Sequence, residues 1–440
     1  MPRPLVAIVG RPNVGKSSLF NRIIGRRQAV VDPEPGVTRD RLATDAEWAG
    51  HHFILVDTGG LVPGSSDEME QRISEQVDAA IAEADLILFV TDVQTGVTDL
   101  DNAVAVQLRK QNVPVLLVVN KVDTVQWEVD WHAFYALALG EPVPSSAMSG
   151  RNMGDMLDEV VARLPESAVD EEPADHIALA LVGRPNVGKS SLVNALVGRQ
   201  KVIVDDVPGT TRDSTDTPLE FEGQRFILID TAGLRRHKAR FKNPDTIEYY
   251  SVLRTINAVE RCQVAVVLID SLEHLVKQDM EIIDQVIDAG KALVLVGNKW
   301  DTVPAKTNET AGDFMKELWT RLPQSKFYPT MLISAATGQR VTRVLDEAVA
   351  AREQWQRRVE TAPLNGWLSE LNRTNPPPSS KAGYPRIKYV TQVAVAPPQF
   401  VFFVNDPDYV SEQAERYLER SLRETFGFNG TPIRLKFRRK

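Results

Sequence analysis

The nine residues Gly10-Arg-Pro-Asn-Val-Gly-Lys-Ser-Ser18 occur a second time, letter for letter, at positions 183–191. Each copy follows a short apolar run, such as Leu5–Val9, and contains the pattern Gly-x-x-x-x-Gly-Lys-Ser. Glycines at those places let backbone N–H groups turn toward a phosphate, and a helix that begins there adds the positive end of its dipole. The repeated stretch therefore predicts two phosphate-binding loops, each between a strand and a helix.

Four shorter motifs also occur twice, in the same order, after 173, 173, 178 and 188 residues. They are Pro35-Gly-Val-Thr-Arg-Asp40 with Pro208-Gly-Thr-Thr-Arg-Asp213, Asp57-Thr-Gly-Gly60 with Asp230-Thr-Ala-Gly233, Asn120-Lys-Val-Asp123 with Asn298-Lys-Trp-Asp301, and Ser146-Ala147 with Ser334-Ala335. Because the order is kept and only loops have lengthened, the chain contains two copies of one domain of about 160 residues. We predict a first repeat over residues 1–164, a second repeat over residues 177–355 and a C-terminal domain over residues 356–440.

The segment between the repeats, residues 165–176, holds five Asp and Glu residues and two prolines. It has almost nothing to bury, so we expect an acidic, flexible linker. Within each repeat, continuous apolar runs such as residues 86–90 and 115–119 alternate with helical patterns such as residues 68–82. That alternation is typical of a doubly wound α/β domain with a mostly parallel sheet.

The C-terminal domain has no counterpart in the first repeat. Its pattern predicts a small α+β domain with a helix over 364–372, strands over 387–395 and 400–404, a helix over 409–426 and a strand over 433–437. The run Gly427-Phe-Asn-Gly430 matches the Gly-x-x-Gly loop that KH domains use for RNA, but it precedes the last strand instead of joining two helices. We interpret it as a turn.

The Asn-Lys-x-Asp motifs indicate which base each repeat binds. The carboxylates of Asp123 and Asp301 can accept hydrogen bonds from the N1–H and the exocyclic amine of guanine, whereas adenine has no proton on N1. We therefore predict guanine nucleotides. The backbone N–H groups of Ser146-Ala147 and Ser334-Ala335 are expected to recognise the guanine O6.

Charged and hydroxyl groups in each repeat match a magnesium-dependent phosphate site. In the first repeat, Lys16 is expected to neutralise the β- and γ-phosphates, Ser17 to bind Mg²⁺ and Asp57 to hold Mg²⁺ through water. The backbone N–H of Gly60 would reach the γ-phosphate, and Thr38 would complete the Mg²⁺ shell only when that phosphate is present. The γ-phosphate would therefore order two loops, which hydrolysis releases. The second repeat has the same residue types at Lys189, Ser190, Asp230, Gly233 and Thr211.

The predicted nucleotide contacts extend along the whole of these motifs in both repeats. In the first repeat they are Gly10, Arg11, Pro12, Asn13, Val14, Gly15, Lys16, Ser17, Ser18, Asp57, Thr58, Gly59, Gly60, Asn120, Lys121, Asp123, Ser146 and Ala147. In the second repeat they are Gly183, Arg184, Pro185, Asn186, Val187, Gly188, Lys189, Ser190, Ser191, Asp230, Thr231, Ala232, Gly233, Asn298, Lys299, Asp301, Ser334 and Ala335. Asn13 and Asn186 are also candidate K⁺ ligands, unless their side chains only hydrogen-bond the loop itself.

The duplicated motifs, followed by a C-terminal domain, resemble the Der or EngA family of tandem-domain ribosome-assembly GTPases along nearly the whole chain. The resemblance implies hydrolysis of GTP to GDP and phosphate with Mg²⁺, a KH-like C-terminal domain, and the large ribosomal subunit with its rRNA as the partner. Two other functions stay open from the residues alone. One is a GTPase of tRNA modification, and the other is an RNA-binding scaffold that nucleotide stabilises without turnover.

Charge and cysteine content narrow the choice of partner and compartment. The net charge is −8, yet residues 352–440 carry 15 Lys and Arg against 9 Asp and Glu, and a basic run spans residues 235–242. Both features favour a polyanionic partner such as RNA, although the run also fits a solvated loop. The single cysteine, Cys262, allows no intrachain disulfide, and no apolar run approaches the ~20 residues of a membrane span. We expect a cytoplasmic monomer with no membrane partner.

Overall fold

The computed structural model describes residues 3–28, 43–57, 66–124, 127, 130–165, 176–198, 202–204, 216–231, 244–304, 309–379 and 383–439. The chain divides into two compact units. Unit 1 consists of Met1–Glu171 with His237–Asn257, and unit 2 consists of Glu172–Arg236 with Ala258–Lys440. The predicted acidic linker falls almost entirely outside the described residues. None of the helices in the described part of the chain is long and apolar enough to cross a membrane.

Unit 1 contains one six-stranded sheet in the order β2-β3-β1-β4-β5-β6. Its strands are β1 (Leu5–Val9), β2 (Ala43–Trp48), β3 (His51–Asp57), β4 (Leu86–Asp92), β5 (Val115–Asn120) and β6 (Val143–Pro144). All neighbours are parallel except β2, which runs antiparallel to β3. The central strands β1 and β4 are buried along their whole length, as continuous apolar runs predict for strands covered on both faces.

Helices cover both faces of this sheet and enclose two separate cores. They are α1 (Lys16–Gln28), α2 (Ser66–Glu83), α3 (Asp99–Arg109) and α4 (Met153–Arg163). One core contains Leu19 of α1 and Met156 of α4, and the other contains Val77 of α2 and Leu108 of α3. Residues 68–82, predicted to be helical, lie inside α2. The doubly wound, mostly parallel α/β fold predicted for the first repeat is confirmed.

Unit 2 repeats this architecture with a seven-stranded sheet in the order β13-β12-β11-β7-β10-β9-β8. Its strands are β7 (His176–Val182), β8 (Val202–Val204), β9 (Thr217–Phe221), β10 (Gln224–Ile229), β11 (Val264–Asp270), β12 (Ala292–Asn298) and β13 (Thr330–Leu332). Its helices begin with α5 (Lys189–Val197). The next helix of the chain, α6 (Pro244–Arg261), belongs to unit 2 only from Ala258 onward, and α7 (Lys277–Asp288), α8 (Thr310–Arg321) and α9 (Arg343–Trp355) follow. In the described residues of this sheet, β9 runs antiparallel to both β10 and β8, and the other neighbouring strands are parallel, so the second repeat also has the predicted fold.

Most of helix α6 belongs to unit 1, although its residues follow the second Asp-x-x-Gly motif. Tyr249 and Leu253 are fully buried in the same core as Val77 of α2. Asn257 donates from Nδ2 to the carboxylate of Glu83 at 3.2 Å. The order of motifs along the sequence does not predict this packing, because it depends on contacts between segments far apart in the chain.

The C-terminal domain is a three-stranded sheet with two helices on one face. Its elements are α10 (Thr361–Thr374), β14 (Ile387–Ala394), β15 (Gln399–Val404), α11 (Glu412–Phe426) and β16 (Arg434–Arg439). Leu368 and Leu418 pack from the helices against Phe400 and Phe402 of the central strand. The helix predicted from residue 409 begins only at Glu412, because residues 407–409 form a separate 3₁₀ turn and the Ser411 hydroxyl caps α11.

The Gly427-x-x-Gly430 run is a turn, as predicted, and it packs against the second repeat within unit 2. The N–H of Gly430 donates to the Phe327 carbonyl at 2.8 Å, and the Gly430 carbonyl accepts from the Leu293 N–H at 2.7 Å. The Phe428 side chain is fully buried, and its N–H donates to Oε1 of Gln354 at 3.0 Å. The N–H groups of Gly427, Phe428 and Gly430 thus all donate to protein acceptors.

Candidate nucleotide-binding sites

Each repeated nonapeptide joins a strand to a helix, as predicted. The first lies between β1 and α1, and the second between β7 and α5. Gly15 and Gly188 have φ of +95° and +100°, and a Cβ on either would come within 3.0 Å of the side-chain amide of Asn120 or Asn298. The loops therefore need glycine there for both backbone conformation and space.

The lysine of each loop points back across the loop. Nζ of Lys16 donates to the carbonyls of Gly10 and Arg11 at 2.8 and 3.0 Å. Nζ of Lys189 makes the same pair of contacts at 2.5 and 2.7 Å. Burial lowers the pKa of Lys16 to about 8, although nearby Asp57 opposes that change. An anion bound in the loop would favour the charged form of this lysine.

The asparagines of the Asn-Lys-x-Asp motifs tie two loops together, a role that the sequence analysis missed. In the first repeat, Nδ2 of Asn120 donates to the Val14 carbonyl at 2.8 Å, and Oδ1 accepts from the Ala147 N–H at 3.0 Å. Asn298 makes the same two contacts in the second repeat, with Val187 and Ala335, at the same distances. The buried amide thus fixes the phosphate-binding loop against the Ser-Ala loop.

The lysines of the same motifs pair with carboxylates that the sequence analysis did not single out. Lys121 lies 2.6 Å from the buried carboxylate of Asp92, and Lys299 lies 2.6 Å from that of Asp270. Burial alone would raise the pKa of Asp270, but the hydrogen bond from Lys299 holds it below its ordinary value. The signal was present in the sequence, since both aspartates end equivalent strands, β4 and β11.

The carboxylates predicted to recognise guanine differ in their exposure to solvent. Asp301 is exposed, whereas Asp123 is half-buried and accepts a hydrogen bond from the Ser146 hydroxyl. Backbone N–H groups of the Ser-Ala loops already have protein acceptors, since those of Ser146 and Ser334 donate to the carbonyls of Arg151 and Gln339. Recognition of the guanine O6 by these loops stays a prediction.

The two metal-binding aspartates predicted from the sequence differ in backbone setting. Asp57 is the last residue of β3 and is buried. Asp230 follows β10 with φ of 58°, and its N–H donates to Asp216 at 2.8 Å. Thr231 is buried and hydrogen-bonded to Thr217. The predicted site residues that lie outside the described part of the chain are Thr38, Thr58, Gly59, Gly60, Thr211, Ala232 and Gly233.

The remaining loop residues fall into an apolar and a polar group. Val14 and Val187 are buried, whereas Asn13 and Asn186 are exposed with φ of 65° and 67°. The arginine that follows the first glycine of each loop has different ion-pair distances in the two repeats. Arg184 pairs with Asp279 at 2.8 Å and with Glu273 at 2.9 Å, whereas Arg11 lies 3.5 Å from Asp101. The other members of the predicted sets, which lie in or directly after the loops, are Pro12, Ser17, Ser18, Pro185, Ser190 and Ser191.

The chemistry of the donor set fits Mg²⁺ bound together with a nucleotide. Within the described residues, no group of three or more His, Cys, Asp or Glu side chains could hold a metal. The residues predicted to hold the ion are instead one serine and one aspartate in each repeat, Ser17 and Asp57 in the first. Mg²⁺ prefers oxygen ligands and commonly takes one or two carboxylates together with substrate phosphates and water.

Comparison with known protein families agrees with this architecture. Both repeats match the model described as a 50S ribosome-binding GTPase, over residues 5–121 and 178–299. The C-terminal domain matches the model described as KH-domain-like of EngA bacterial GTPase enzymes, over residues 358–438. The two models together cover most of the chain in the order that the structure shows.

Curated relatives match the chain from end to end. GTPase Der of Moorella thermoacetica is 50% identical over 439 residues, spanning 100% of this chain and 99% of that protein. GTPase Der of Desulforamulus reducens is 48% identical over 440 residues with the same coverage. Among solved structures, the FeoB G-domain of Methanococcus jannaschii is 23% identical and covers 37% of this chain and 98% of that one, with a TM-score of 0.28. Identity near one half along the entire chain, with both family models, shows that the chain belongs to the Der (EngA) family of GTPases, enzymes that hydrolyse GTP.

Proposed function

We propose that this GTPase is a switch protein in the assembly of the large ribosomal subunit, acting as a cytoplasmic monomer that binds the subunit's rRNA. The observation that carries the proposal is the match of both repeats to the model described as a 50S ribosome-binding GTPase. Full-length relatives named GTPase Der support it. The excess of Lys and Arg in residues 352–440 suits a polyanionic partner.

In each site, the proposed roles follow the residue types predicted from the sequence. The loop lysine would bind the phosphates, and the serine and aspartate oxygens would hold Mg²⁺. Mg²⁺, when bound, neutralises charge that develops on the phosphate oxygens during hydrolysis. The threonines and glycines beyond the described residues would contact the γ-phosphate and so distinguish GTP from GDP. Asn120 and Asn298 would keep the phosphate loop and the base-side loop in register.

The proposed function is tested by co-sedimentation with purified ribosomal subunits in the presence of GDP, a non-hydrolysable GTP analogue or no nucleotide. The large subunit should retain the protein best with the GTP analogue, because the γ-phosphate would set the position of the loop after Asp230. Equal retention in all three conditions would contradict the switch. A GTPase of tRNA modification would bind neither subunit, so the same experiment separates that alternative.

Substitutions in the basic run Arg235-Arg-His-Lys-Ala-Arg-Phe-Lys242 test the proposed contact with rRNA. This run lies outside the described residues. Replacing its five Lys and Arg with Ala should weaken subunit binding and reduce the slope of log affinity against log salt by roughly four, since each phosphate contact releases about one counterion. GTP affinity should stay near normal. The matched control removes five exposed cations outside the run and outside residues 352–440, namely Lys110, Lys277, Lys316, Lys326 and Arg343. A loop variant with the wild-type salt slope would show that the run is only a solvated segment.

Hydrolysis is expected to be faster in KCl than in NaCl at equal ionic strength. Asn13 and Asn186 occupy equivalent, exposed places in the two loops, where a side-chain oxygen could join phosphate oxygens around K⁺. Na⁺ is smaller and more tightly hydrated, so it would fit the same oxygen cage poorly. Asn13→Ala and Asn186→Ala should each reduce the K⁺ dependence of one repeat, measured by phosphate release. Equal wild-type rates in both salts would dismiss the K⁺ assignment.

A further inference from the structure

The two repeats differ at one helix position next to the base-side loop, which spans residues 145–151 in the first repeat and 333–339 in the second. Arg22 of α1 corresponds to Ala195 of α5, because the repeats are offset by 173 residues there. Nε of Arg22 donates to the Ala147 carbonyl at 2.7 Å, and Nη2 donates to the Met148 carbonyl. A Cβ on Gly150 would lie 3.7 Å from Cζ of Arg22. The guanidinium therefore joins the helix after the phosphate-binding loop to the base-side loop.

The contact with Ala147 is the stronger of the two contacts that Arg22 makes. Ala147 is buried, and its N–H donates to Oδ1 of Asn120 at 3.0 Å, so Asn120 and Arg22 hold the two backbone groups of this residue. Met148 is 85% exposed, and water competes with Arg22 for its carbonyl. The planar fork of a guanidinium can bind two successive carbonyls at once, which a lysine ammonium does less well.

The second repeat has the same loop without this arginine. In both loops the hydroxyl of the first serine accepts from the N–H three residues later, at 3.0 Å in the first repeat and 3.1 Å in the second. The Ala195 side chain has no hydrogen-bond donor, and an open cleft of about 490 Å³ lies between α5 and the loop. Residues that line this cleft include Ala195, Gly198, Ala335 and Gly338. The chain therefore contains one base-side loop with the arginine contact and an equivalent loop that lacks it.

We propose that Arg22 is a positioning residue that slows release of guanine nucleotide from the first site, because it holds Ala147 where the loop meets the O6 of the base. This inference rests on the proposed recognition of O6 by the Ser-Ala loops. Movement of the first loop away from α1 must break the hydrogen bonds of Arg22 before the nucleotide leaves. The loop of the second repeat moves without breaking an equivalent bond to Ala195.

Nucleotide release from full-length protein tests this role. N-methylanthraniloyl-labelled GDP is chased with unlabelled GDP in stopped flow, with Gly188→Ala present to prevent binding at the second site. Arg22→Met keeps the aliphatic stem and removes the guanidinium, so release should become about tenfold faster, as expected for the loss of one charge-assisted hydrogen bond. Arg22→Lys should release at an intermediate rate, since it keeps the charge without the planar fork. An unchanged rate in Arg22→Met would overturn the proposal.

A nucleotide without O6 separates positioning from general loosening of the repeat. The labelled diphosphate of 2-aminopurine riboside has hydrogen in place of O6, so the loop has no oxygen to contact. Arg22→Met should leave the release rate of this nucleotide nearly unchanged. Equal acceleration for both nucleotides would show that Arg22 only stabilises the repeat and would refute the proposal. Wild-type protein that releases both nucleotides at one rate would instead refute O6 recognition, on which the inference rests.

The second repeat provides the reverse experiment. The cleft beside Ala195 has room for a longer side chain, so Ala195→Arg should slow GDP release from the second site, measured with Gly15→Ala present. Hydrogen exchange of the unlabelled chain gives a second measurement. Exchange should rise at residues 145–151 in Arg22→Met and fall at residues 333–339 in Ala195→Arg, and exchange unchanged in both loops would contradict the proposed contact. Lys110→Met, which removes an exposed cation from the first repeat, is the matched control and should behave like the wild type.

Discussion

Gly15→Ala is expected to abolish nucleotide binding at the first site and leave the second intact, and Gly188→Ala is expected to do the reverse. Each glycine has a positive φ, +95° or +100°, which costs an L-residue about 1–2 kcal/mol. The new methyl group would also come within 3.0 Å of the side-chain amide of Asn120 or Asn298. Relieving that clash breaks two buried hydrogen bonds worth about 1 kcal/mol each.

The backbone strain and the two lost hydrogen bonds both destabilise the loop whose N–H groups must point toward the bound phosphates. We expect affinity at the altered site to fall by at least about a hundredfold, which corresponds to roughly 3 kcal/mol. Equilibrium dialysis with labelled GTP should show two binding equivalents in the wild type and one in each variant. Gly25→Ala is the matched control, because the added methyl group would meet no atom within 4 Å and helix α1 favours alanine. Two full-affinity equivalents in Gly15→Ala would refute the assignment of this loop.

The second large effect concerns the choice of base. Asp123→Asn and Asp301→Asn replace a carboxylate that accepts two hydrogen bonds with an amide that donates at one position. That amide suits the 2-oxo group of xanthine better than the 2-amino group of guanine. Sites that lose such a matched polar partner change their preference by orders of magnitude, on the order of 10⁴ in the best cases. Each variant should therefore shift one repeat from GTP toward XTP.

The surroundings of the two aspartates predict a difference between Asp123→Asn and Asp301→Asn. Asp123 accepts a hydrogen bond from the Ser146 hydroxyl, whereas Asp301 is exposed, so the first repeat should also lose some order in its base-side loop. Titration with fluorescent GTP and XTP analogues measures both affinities, and Asp313→Asn serves as the control for removing an exposed carboxylate from the second repeat. GTP affinity that stays unchanged in Asp123→Asn and Asp301→Asn would refute guanine reading by these residues.

Much of the fold follows from local sequence. The phosphate-binding loops, the strands before them and the helices after them are specified within about a dozen contiguous residues, because glycine positions and apolar runs act on the backbone next to them. The same holds for Gly427–Gly430, whose place before the last strand predicts a turn. The predicted start of α11 at residue 409 was wrong by three residues, because Pro407 opens a 3₁₀ turn and the Ser411 cap decides where the α-helix begins.

By itself, the sequence determined the doubled α/β architecture, the order of the motifs and the residue types at each site. Only the tertiary structure decided which distant groups meet. Asn120 hydrogen-bonds to Ala147 and also to Val14, which precedes it by more than a hundred positions. The Leu293 N–H of the second repeat donates to the Gly430 carbonyl of the C-terminal domain. Tyr389, Phe403 and Arg438 form one row only through strand register. The physical reason is that backbone preferences act between neighbouring residues, whereas these contacts depend on which strand ends the sheet order brings together.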